Sequence, residues 1–281
     1  MITRFAPSPT GPLHLGHAYS AILAHDMAKK AGGQFLLRIE DIDQSRSRRQ
    51  WEDQIYRDLD WLGLDWERPV MRQSERLQLY RNALETLWER DLLFACNCTR
   101  RDIEAAVSAP QEGASYGPDG LIYPGTCRIS GARSPGAPMP DTALRLNMER
   151  AATDCHFDEL GALHAGPHEV TRTALIESVG DVVLARRDMG CSYHLAVVLD
   201  DAEQGITHVT RGADLFEATQ IHVLLQKLLQ LPTPTYWHHD LIRDSEGKRL
   251  AKRDDARALS TYRDAGVSPA DIRRMLDVPL A

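Results

Sequence analysis

The chain has few of the features that mark membrane-spanning, secreted or fibrous proteins. It contains no run of the roughly eighteen apolar residues needed to cross a bilayer, and its N-terminus lacks a basic segment followed by a hydrophobic one. Its five cysteines are too few and too scattered for a disulfide framework, so we expect them to be free thiols or metal ligands. These absences predict a cytoplasmic protein that does not enter a membrane.

The chain also lacks an excess of positive charge. With 33 Lys and Arg against 40 Asp and Glu, its formal net charge is −7, which repels a polyanion as a whole. Contact with RNA would need local patches, and two basic clusters stand out: Arg46, Arg48 and Arg49, and a second one of Lys248, Arg249, Lys252, Arg253 and Arg257. Such clusters are more often solvated faces of the protein than binding sites.

At 281 residues and 43% hydrophobic content, the chain can build one core plus a smaller unit.

The most informative segment lies at the start of the chain. Residues 2–6 form a short apolar run that predicts a strand, and the prolines and glycine between residues 7 and 12 delay regular structure until His14. Apolar spacing then predicts a helix that ends at Gly32 and Gly33, followed by a second, parallel strand at 34–39. A helix N-terminus attracts phosphate, so His14, Gly16 and His17 predict a nucleotide-phosphate site. Alternatively, the histidines only cap the helix or face solvent.

The remaining elements are predicted from periodicity and composition. Residues 108–140 are rich in proline and glycine and predict a loop-rich insert. Helices are predicted at 46–62, 74–90, 214–231 and 269–276, and strands at 143–148, 182–186 and 194–199. The last of these strands is expected to be a central one, because its apolar run is continuous.

Five ordered motifs resemble the glutamyl branch of the class I aminoacyl-tRNA synthetases. Residues 5–11 (Phe-Ala-Pro-Ser-Pro-Thr-Gly) with 14–17 (His-Leu-Gly-His) resemble the HIGH signature of that branch. The other four are residues 38–43, 193–201, 211–215 and, at the position of the KMSKS signature, 249–253. The resemblance implies an α/β fold: a doubly wound parallel sheet of the Rossmann type with a small zinc-containing insert.

The resemblance also implies a domain plan. Residues 1–95 would form the first half of the catalytic domain, 96–175 an acceptor-binding-like insert, 176–240 the second half, and 241–281 the KMSKS-like loop with a short helical segment. Only 28 residues follow Arg253, so no anticodon-binding domain is expected. In this respect the chain resembles the truncated paralogues called glutamyl-queuosine tRNA(Asp) synthetases.

Glutamate carries two carboxylates and an ammonium, so its pocket needs cationic donors and an acceptor. The resemblance implies that Arg4, Ser8, Glu40, Tyr193 and Arg211 hold glutamate, although either arginine alone could be a surface ion pair. It further implies that ATP is bound by His14, Gly16, His17, Arg249 and Lys252, with His14, His17 and Lys252 stabilising the transition state.

Three positions depart from the family pattern. Val197 stands where we expect Asn in the discriminating enzymes, which removes a polar contact. Arg249 replaces the first lysine of KMSKS and Ala251 replaces its serine, while Lys252 keeps the charge that should matter most.

Cys96, Cys98 and Cys127 lie near turn-forming segments and could fold around a metal. The resemblance implies a structural zinc ion with Tyr123 as fourth ligand. Reduced structural thiols are the alternative, and Cys155, His156, His164 and His168 are possible substitute ligands.

The implied activity is that of a ligase. It activates glutamate with Mg²⁺ and ATP, without needing tRNA, and transfers glutamate from the adenylate to queuosine in the anticodon of tRNA(Asp). Two alternatives remain: a shortened discriminating glutamyl-tRNA synthetase that charges the 3′ end of tRNA(Glu), and a non-catalytic synthetase-like RNA-binding module.

Overall fold

The computed structural model describes residues 1–107, 115–130, 136–242 and 257–278, which form an α/β fold. The strands are β1 (Ile2–Phe5), β2 (Gln34–Ile39), β3 (Glu67–Arg72), β4 (Leu93–Ala95), β5 (Tyr116–Gly117), β6 (Gly120–Leu121), β7 (Leu144–Leu146), β8 (Cys155–Glu159), β9 (Gly166–Val170), β10 (Val183–Ala185), β11 (His208–Gly212) and β12 (Thr235–His239). The helices are α1 (Leu15–Lys30), α2 (Arg49–Trp61), α3 (Leu77–Glu89), α4 (Arg100–Val107), α5 (Thr126–Ser130), α6 (Met148–Ala151), α7 (Arg172–Ala174), α8 (Tyr193–Glu203), α9 (Thr219–Leu228), α10 (Leu259–Asp264) and α11 (Pro269–Met275).

The first βαβ unit is confirmed. β1 and β2 pair in parallel with Ile2 opposite Gln34, and α1 connects them. Gly32 has a φ of 60°, a conformation that costs glycine little, and it follows the end of α1 as predicted. The helix packs small residues such as Ala18 and Ala21 into the core, which brings it close to the sheet.

Parallel strands place the site at one edge of the sheet. The first three strands have the order β1-β2-β3, and a second group has the order β11-β12-β8-β9. The two groups meet where the Thr207 N–H donates to the Ile2 carbonyl at 3.0 Å, just before β11. Farther along, the guanidinium of Arg4 donates to the carbonyl of Thr210 at 3.4 Å, and the last residues of the two strands, Phe5 and Gly212, line one cavity. β1 and β11 therefore run in the same direction. Their carboxyl ends therefore share an edge, where open α/β sheets bind ligands.

The predicted strand at 194–199 is wrong. These residues lie in α8, and Leu195, Ala196, Val197 and Val198 are all buried in the main core. A helix buried on several sides shows no helical periodicity, so its apolar run looks like that of a central strand. The side chain of Ser192 accepts the Leu195 N–H at 3.4 Å and caps the helix. That capping residue was the available signal.

The other predicted elements agree with the structure to within a few residues. The helix predicted at 46–62 begins at Arg49, and the one predicted at 214–231 is α9 preceded by a 3-10 turn at Ala213–Leu215. The strands predicted at 143–148 and 182–186 are β7 and β10, which pair antiparallel. Five strands of the two sheet groups were not predicted: β3, β8, β9, β11 and β12.

Strand pairing also bears on the domain plan. β8 and β9 come from the predicted insert, yet β8 pairs in parallel with β12 of the second half. The three boundaries between the four predicted segments stay predictions. No described helix is long and apolar enough to cross a membrane.

The C-terminal helices pack against the first core. Leu259 and Ile272 are fully buried there, and Arg263 Nη1 lies 2.6 Å from Asp58 Oδ1. Arg273 reaches both oxygens of Asp26 on α1, at 2.6 and 3.1 Å. Residues 257–278 are thus fixed to α1 and α2.

Candidate active site

A cavity of about 370 Å³ opens at the shared carboxyl edge of the parallel strands, and we call it the site cavity. It is lined by seven of the residues predicted from the sequence: Arg4, His14, Gly16, His17, Glu40, Tyr193 and Arg211. Ser8 is exposed and is not among its lining residues. Arg249 and Lys252 lie outside the described residues.

The N-terminus of α1 places both histidines of the first motif at the cavity. His14 is the N-cap, and its backbone N–H donates to His17 Nδ1 at 3.2 Å. Because Nδ1 accepts, a neutral His17 carries its proton on Nε2. The two rings stack with their centroids 3.7 Å apart. The histidines therefore cap the helix and also line the cavity, so capping the helix does not keep them away from the cavity.

Beneath the cavity, two arginines share one carboxylate. Arg4 Nε lies 3.0 Å from Asp201 Oδ1, and Arg38 Nη1 lies 2.6 Å from the same oxygen. Burial alone would raise the pKa of Asp201, but the guanidinium groups of Arg4 and Arg38 hold it below its ordinary value. Arg4 and Asp201 are each only 5% exposed. Their ion pair is therefore buried, which excludes the alternative of a surface ion pair for Arg4.

Glu40 follows β2 directly, at the carboxyl end where the sequence predicted it. Its Oε1 accepts from Arg38 Nη2 at 3.1 Å. Burial raises the pKa of Glu40, although Arg38 and Arg4 oppose this shift. A buried acidic acceptor at the cavity wall can receive hydrogen bonds from a ligand ammonium.

Arg211 differs from Arg4 because neutral groups hold it. Its Nε donates to His238 Nε2 at 2.9 Å, Nη1 to His222 Nδ1 at 2.9 Å, and Nη2 to Thr219 Oγ1 at 2.7 Å. Arg211 is 6% exposed, and no Asp or Glu among the described residues lies within ion-pair distance of it. A buried charge without a counter-charge is costly. The cavity therefore presents a guanidinium suited to an anionic ligand.

Val197 does not line the cavity. It is 2% exposed and packs in the main core on α8. The departure from the expected Asn therefore lies in the core, one helical turn after Tyr193, and does not change the polarity of the cavity wall.

Sequence reasoning missed several polar residues of the site. His239 ends β12 and lines the cavity, where its Nε2 lies 2.7 Å from Ser20 Oγ. His222 and His238 contact Arg211 from α9 and β12. Adjacent histidines at the carboxyl end of a parallel strand are a usable signal, but the strand itself was not recognised.

The cysteine cluster consists of Cys96, Cys98 and Cys127 with the phenol of Tyr123. The three sulfur atoms lie within 4.8 Å of one another, and Tyr123 Oη lies 3.6 Å from Cys96 Sγ and 3.4 Å from Cys98 Sγ. Sulfurs bound to one tetrahedral zinc ion lie about 3.8 Å apart. Within the described ranges, the substitute ligands Cys155, His156, His164 and His168 do not join this group. The donor set fits a metal ion.

Arg145 adds positive charge next to this cluster. Its Nε lies 3.3 Å from Cys96 Sγ, and its guanidinium stacks on the ring of Tyr123 at 4.1 Å. A cation beside thiolates offsets the negative charge that three thiolates bring to a divalent ion.

The arginine patch, formed by Arg46, Arg48 and Arg49, borders a surface depression that also includes Thr10. Arg46 pairs with Asp43, and Arg48 donates to the carbonyls of Ser45 and Ser47. Arg49 has no ion-pair partner among the described residues. Of the second basic cluster, only Arg257 lies in the described part of the chain, where it stacks on Tyr262 at 4.7 Å.

Residues 1–278 match the model of a family described as tRNA synthetases class I (E and Q), catalytic domain. The chain belongs to this family. The family membership indicated by the five motifs is thereby confirmed, and so is the expected ligase class.

Two curated relatives, both named glutamyl-Q tRNA(Asp) synthetase, extend the match. The one from Rhodobacter capsulatus is 67% identical and is covered over 99% of its length, and the one from Symbiobacterium thermophilum is 43% identical and covered over 83%. The alignments span 98% and 96% of this chain.

A solved structure supports the fold of the class I synthetase catalytic domain. The glutamate-tRNA synthetase from Elizabethkingia anophelis superimposes with a TM-score of 0.72 at 30% identity. The match covers 90% of this chain but 53% of that protein, so this chain spans about half the length of that synthetase.

Proposed function

We propose that this chain activates glutamate with ATP to form glutamyl-adenylate, without needing tRNA, and transfers the glutamyl group to queuosine in the anticodon of tRNA(Asp). The names of the curated relatives support the acceptor, since both are called glutamyl-Q tRNA(Asp) synthetase. The residues that line the site cavity support glutamate as the amino acid that is activated. The proposed setting is the cytoplasm, where ATP and tRNA meet.

Arg211 is the observation that carries the proposal. It is a buried guanidinium at the cavity wall, held by two imidazole nitrogens and a hydroxyl, with no carboxylate of the described chain in ion-pair distance. A substrate carboxylate supplies the counter-charge. Glu40, also in the cavity wall, accepts from the ammonium, and Arg4 with Tyr193 completes the pocket. Ser8 belongs to the proposed glutamate site by resemblance only.

The ATP end of the site rests on the N-terminus of α1. His14, Gly16 and His17 lie at the positive end of the dipole of α1, which favours phosphate, and a neutral His17 carries a donor proton on Nε2. By resemblance, Arg249 and Lys252 also bind the phosphates. Mg²⁺ bound with ATP would offset the charge of the leaving pyrophosphate.

The first step is a substitution at the α-phosphorus. A carboxylate oxygen of glutamate forms the new P–O bond as the bond to pyrophosphate breaks, and His14, His17 and Lys252 stabilise the charge that develops. In the second step, a queuosine hydroxyl oxygen attacks the activated carbonyl carbon, AMP leaves, and the hydroxyl proton is lost. Positioning supplies most of the acceleration in both steps.

We further propose that the metal at the cysteine cluster is zinc, with Tyr123 as its fourth ligand. The site would be structural, because it joins three short elements of the predicted insert (96–175) that share little core. On this proposal, residues 1–95 and 176–240 form the catalytic domain, and 241–281 form the KMSKS-like loop and the helices after it.

Substitution of Arg211 tests the amino-acid site. In glutamate-dependent ATP–pyrophosphate exchange without tRNA, we expect Arg211→Gln to raise the KM for glutamate by about a hundredfold while the KM for ATP stays the same. Arg274→Gln, which changes an exposed arginine on α11, is the matched control. An unchanged KM for glutamate in Arg211→Gln would refute the assignment of Arg211.

The acceptor is tested with labelled glutamate and ATP. We expect label on tRNA(Asp) that carries queuosine and none on tRNA(Asp) that lacks it. Label on the 3′ end of tRNA(Glu) would instead identify a shortened glutamyl-tRNA synthetase. Absence of exchange at saturating glutamate and ATP, with tRNA added as well as without it, would leave only the non-catalytic RNA-binding module.

A further inference from the structure

Arg211 lies in the middle of a chain of hydrogen-bonded side chains, all of them buried except Asp119 at one end. One arm runs from Arg211 through His238 to Glu159. The other runs through His222 and His194 to Asp119. The ring nitrogens and their partners lie between 2.5 and 3.3 Å apart at every link.

The first arm has only one consistent arrangement of protons. A guanidinium has five N–H donors and no acceptor, so His238 Nε2 must accept from Arg211 Nε. A neutral His238 then carries its proton on Nδ1, which lies 2.5 Å from Glu159 Oε2. The other oxygen of Glu159 accepts the backbone N–H groups of His238 and Gly161 at 2.8 and 2.6 Å. Glu159 thus fixes both the ring of His238 and the backbone that carries it.

The second arm is determined in the same way. His222 Nδ1 accepts from Arg211 Nη1, so the proton of a neutral His222 is on Nε2 and points at His194 Nδ1, 3.1 Å away. His194 must therefore accept at Nδ1 and carry its proton on Nε2, which faces Asp119 Oδ1 at 3.3 Å. A second proton on His222 or His194 would set two N–H groups against each other.

We propose that His222 and His238 are positioning residues for glutamate binding, each a neutral imidazole in a single tautomer that orients Arg211 toward the site cavity. This rests on the proposed function, in which Arg211 holds a substrate carboxylate. Three of the five guanidinium N–H groups are used by His238, His222 and Thr219, which leaves one on each terminal nitrogen for the ligand. An imidazole accepts a hydrogen bond from Arg211 without neutralising its charge. A carboxylate in the same place would compete with the substrate carboxylate for the guanidinium.

The surroundings agree with neutral rings. Burial lowers the pKa of His222 well below its ordinary value, and the nearby Arg211 and His194 add to this. Burial also lowers the pKa of His238, because the opposing effect of Glu159 is smaller. Both arms end on carboxylates of the predicted insert, Glu159 and Asp119, so the orientation of Arg211 depends on how that segment packs against α8, α9 and β12.

The tautomers are measured directly by ¹⁵N NMR of histidine side chains in the full-length wild-type protein near neutral pH. Signals are assigned with His222→Asn and His238→Gln. We expect the proton of His238 on Nδ1 and those of His222 and His194 on Nε2. The opposite tautomer, or a doubly protonated ring, at His222 or His238 overturns the proposal whatever the enzyme's activity.

The kinetic test uses matched pairs of variants. Asn places its amide oxygen near the position of Nδ1, and Gln places its oxygen near that of Nε2, so His222→Asn and His238→Gln keep the acceptor while His222→Leu and His238→Leu remove it. In pyrophosphate exchange we expect the Leu variants to raise the KM for glutamate by about 10- to 100-fold. We expect kcat and the KM for ATP to change by less than about threefold, and the Asn and Gln variants to restore most of the loss.

The two proposals fail in different ways. If the wild type shows no glutamate-dependent exchange, the proposed function is wrong, and the tautomers still decide the arrangement around Arg211. If the wild type is active and the Leu variants bind glutamate normally, only the positioning role is wrong. If a Leu variant does not fold, the wild-type tautomers and the Asn and Gln variants decide.

Discussion

Arg38 Nη1 lies 2.6 Å from Asp201 Oδ1, and this buried contact joins β2 to α8 beneath the site cavity. Arg38 is fully buried and also contacts Glu40 at 3.1 Å and Gln204 at 2.9 Å. Asp201 in turn binds Arg4. A single ionic network thus fixes Arg4 and Glu40, which line the site cavity, to α8.

Replacement of Arg38 by Met should destabilise the whole fold. It leaves Asp201 and Glu40 as buried carboxylates that have lost a cation, and breaking a buried pair in this way costs about 3–5 kcal/mol. We expect a decrease of that size in the free energy of unfolding, measured by urea denaturation followed by circular dichroism.

Arg274→Met is the matched control for this stability measurement. The side chain of Arg274 is 76% exposed and contacts Asp271 three residues before it. Its replacement should change the free energy of unfolding by less than about 1 kcal/mol. Equal losses in the two variants would mean that the Arg38 network does not stabilise the fold.

Whether an element of the fold could be predicted depends on how local its signal is in the sequence. β1, α1 and β2 were predicted because turn residues and apolar spacing within forty positions specify them. α8 was not, because its four buried apolar residues, Leu195 to Val198, erase the amphipathic pattern. β11 and β12 pair with His208 opposite Thr235, 27 positions apart in the sequence, and no local sequence pattern predicts that pairing.

The same limit applies to the site. The motif resemblance named Arg4, Glu40 and Arg211, and all three line the cavity. It did not name His222 or His238, whose contact with Arg211 depends on α9 and β12 packing around β11. Arg38 was noticed only as part of a motif, since its buried partners come from a helix that was predicted as a strand.

His25 should make stability depend on pH above its ordinary pKa of 6.5. Its Nδ1 lies 3.2 Å from Asp26 Oδ1 and its Nε2 lies 2.9 Å from Asp65 Oδ1. Burial alone would lower the pKa of His25, but hydrogen bonds and charge from these carboxylates raise it. A raised folded-state pKa adds stability that is complete below 6.5 and is lost as pH rises through the folded value.

We therefore expect the stability difference between wild type and His25→Gln to be larger at about pH 5.5 than at about pH 8.5, measured by urea denaturation at each pH. Effects of other titrating groups cancel in this difference. The exposed His156, which has no carboxylate partner among the described residues, supplies the control variant His156→Gln, measured at the same two pH values. A His25 difference that grows with pH would contradict the assigned sign.

Removal of one thiol should remove the metal. We expect Cys98→Ser to lose bound zinc in elemental analysis, and Tyr123→Phe, which keeps the ring, to lose zinc to a chelator at least about tenfold faster than wild type. Cys155→Ala changes a buried cysteine outside the cluster and should keep its zinc. Full zinc content in Cys98→Ser would exclude the cluster as the metal site, and an unchanged rate in Tyr123→Phe would exclude the phenol as a ligand.

Arg49 should contribute to tRNA binding through phosphate contact. It is exposed beside Thr10, at the arginine patch, and has no ion-pair partner among the described residues. Replacing one phosphate-binding arginine reduces the slope of log affinity against log salt by about 1. We expect this change in filter binding of tRNA by Arg49→Ala, with glutamate-dependent pyrophosphate exchange unaltered because the proposed activation step needs no tRNA. Arg274→Ala should keep the wild-type slope; an unchanged slope in Arg49→Ala would mean that this patch is a solvated face.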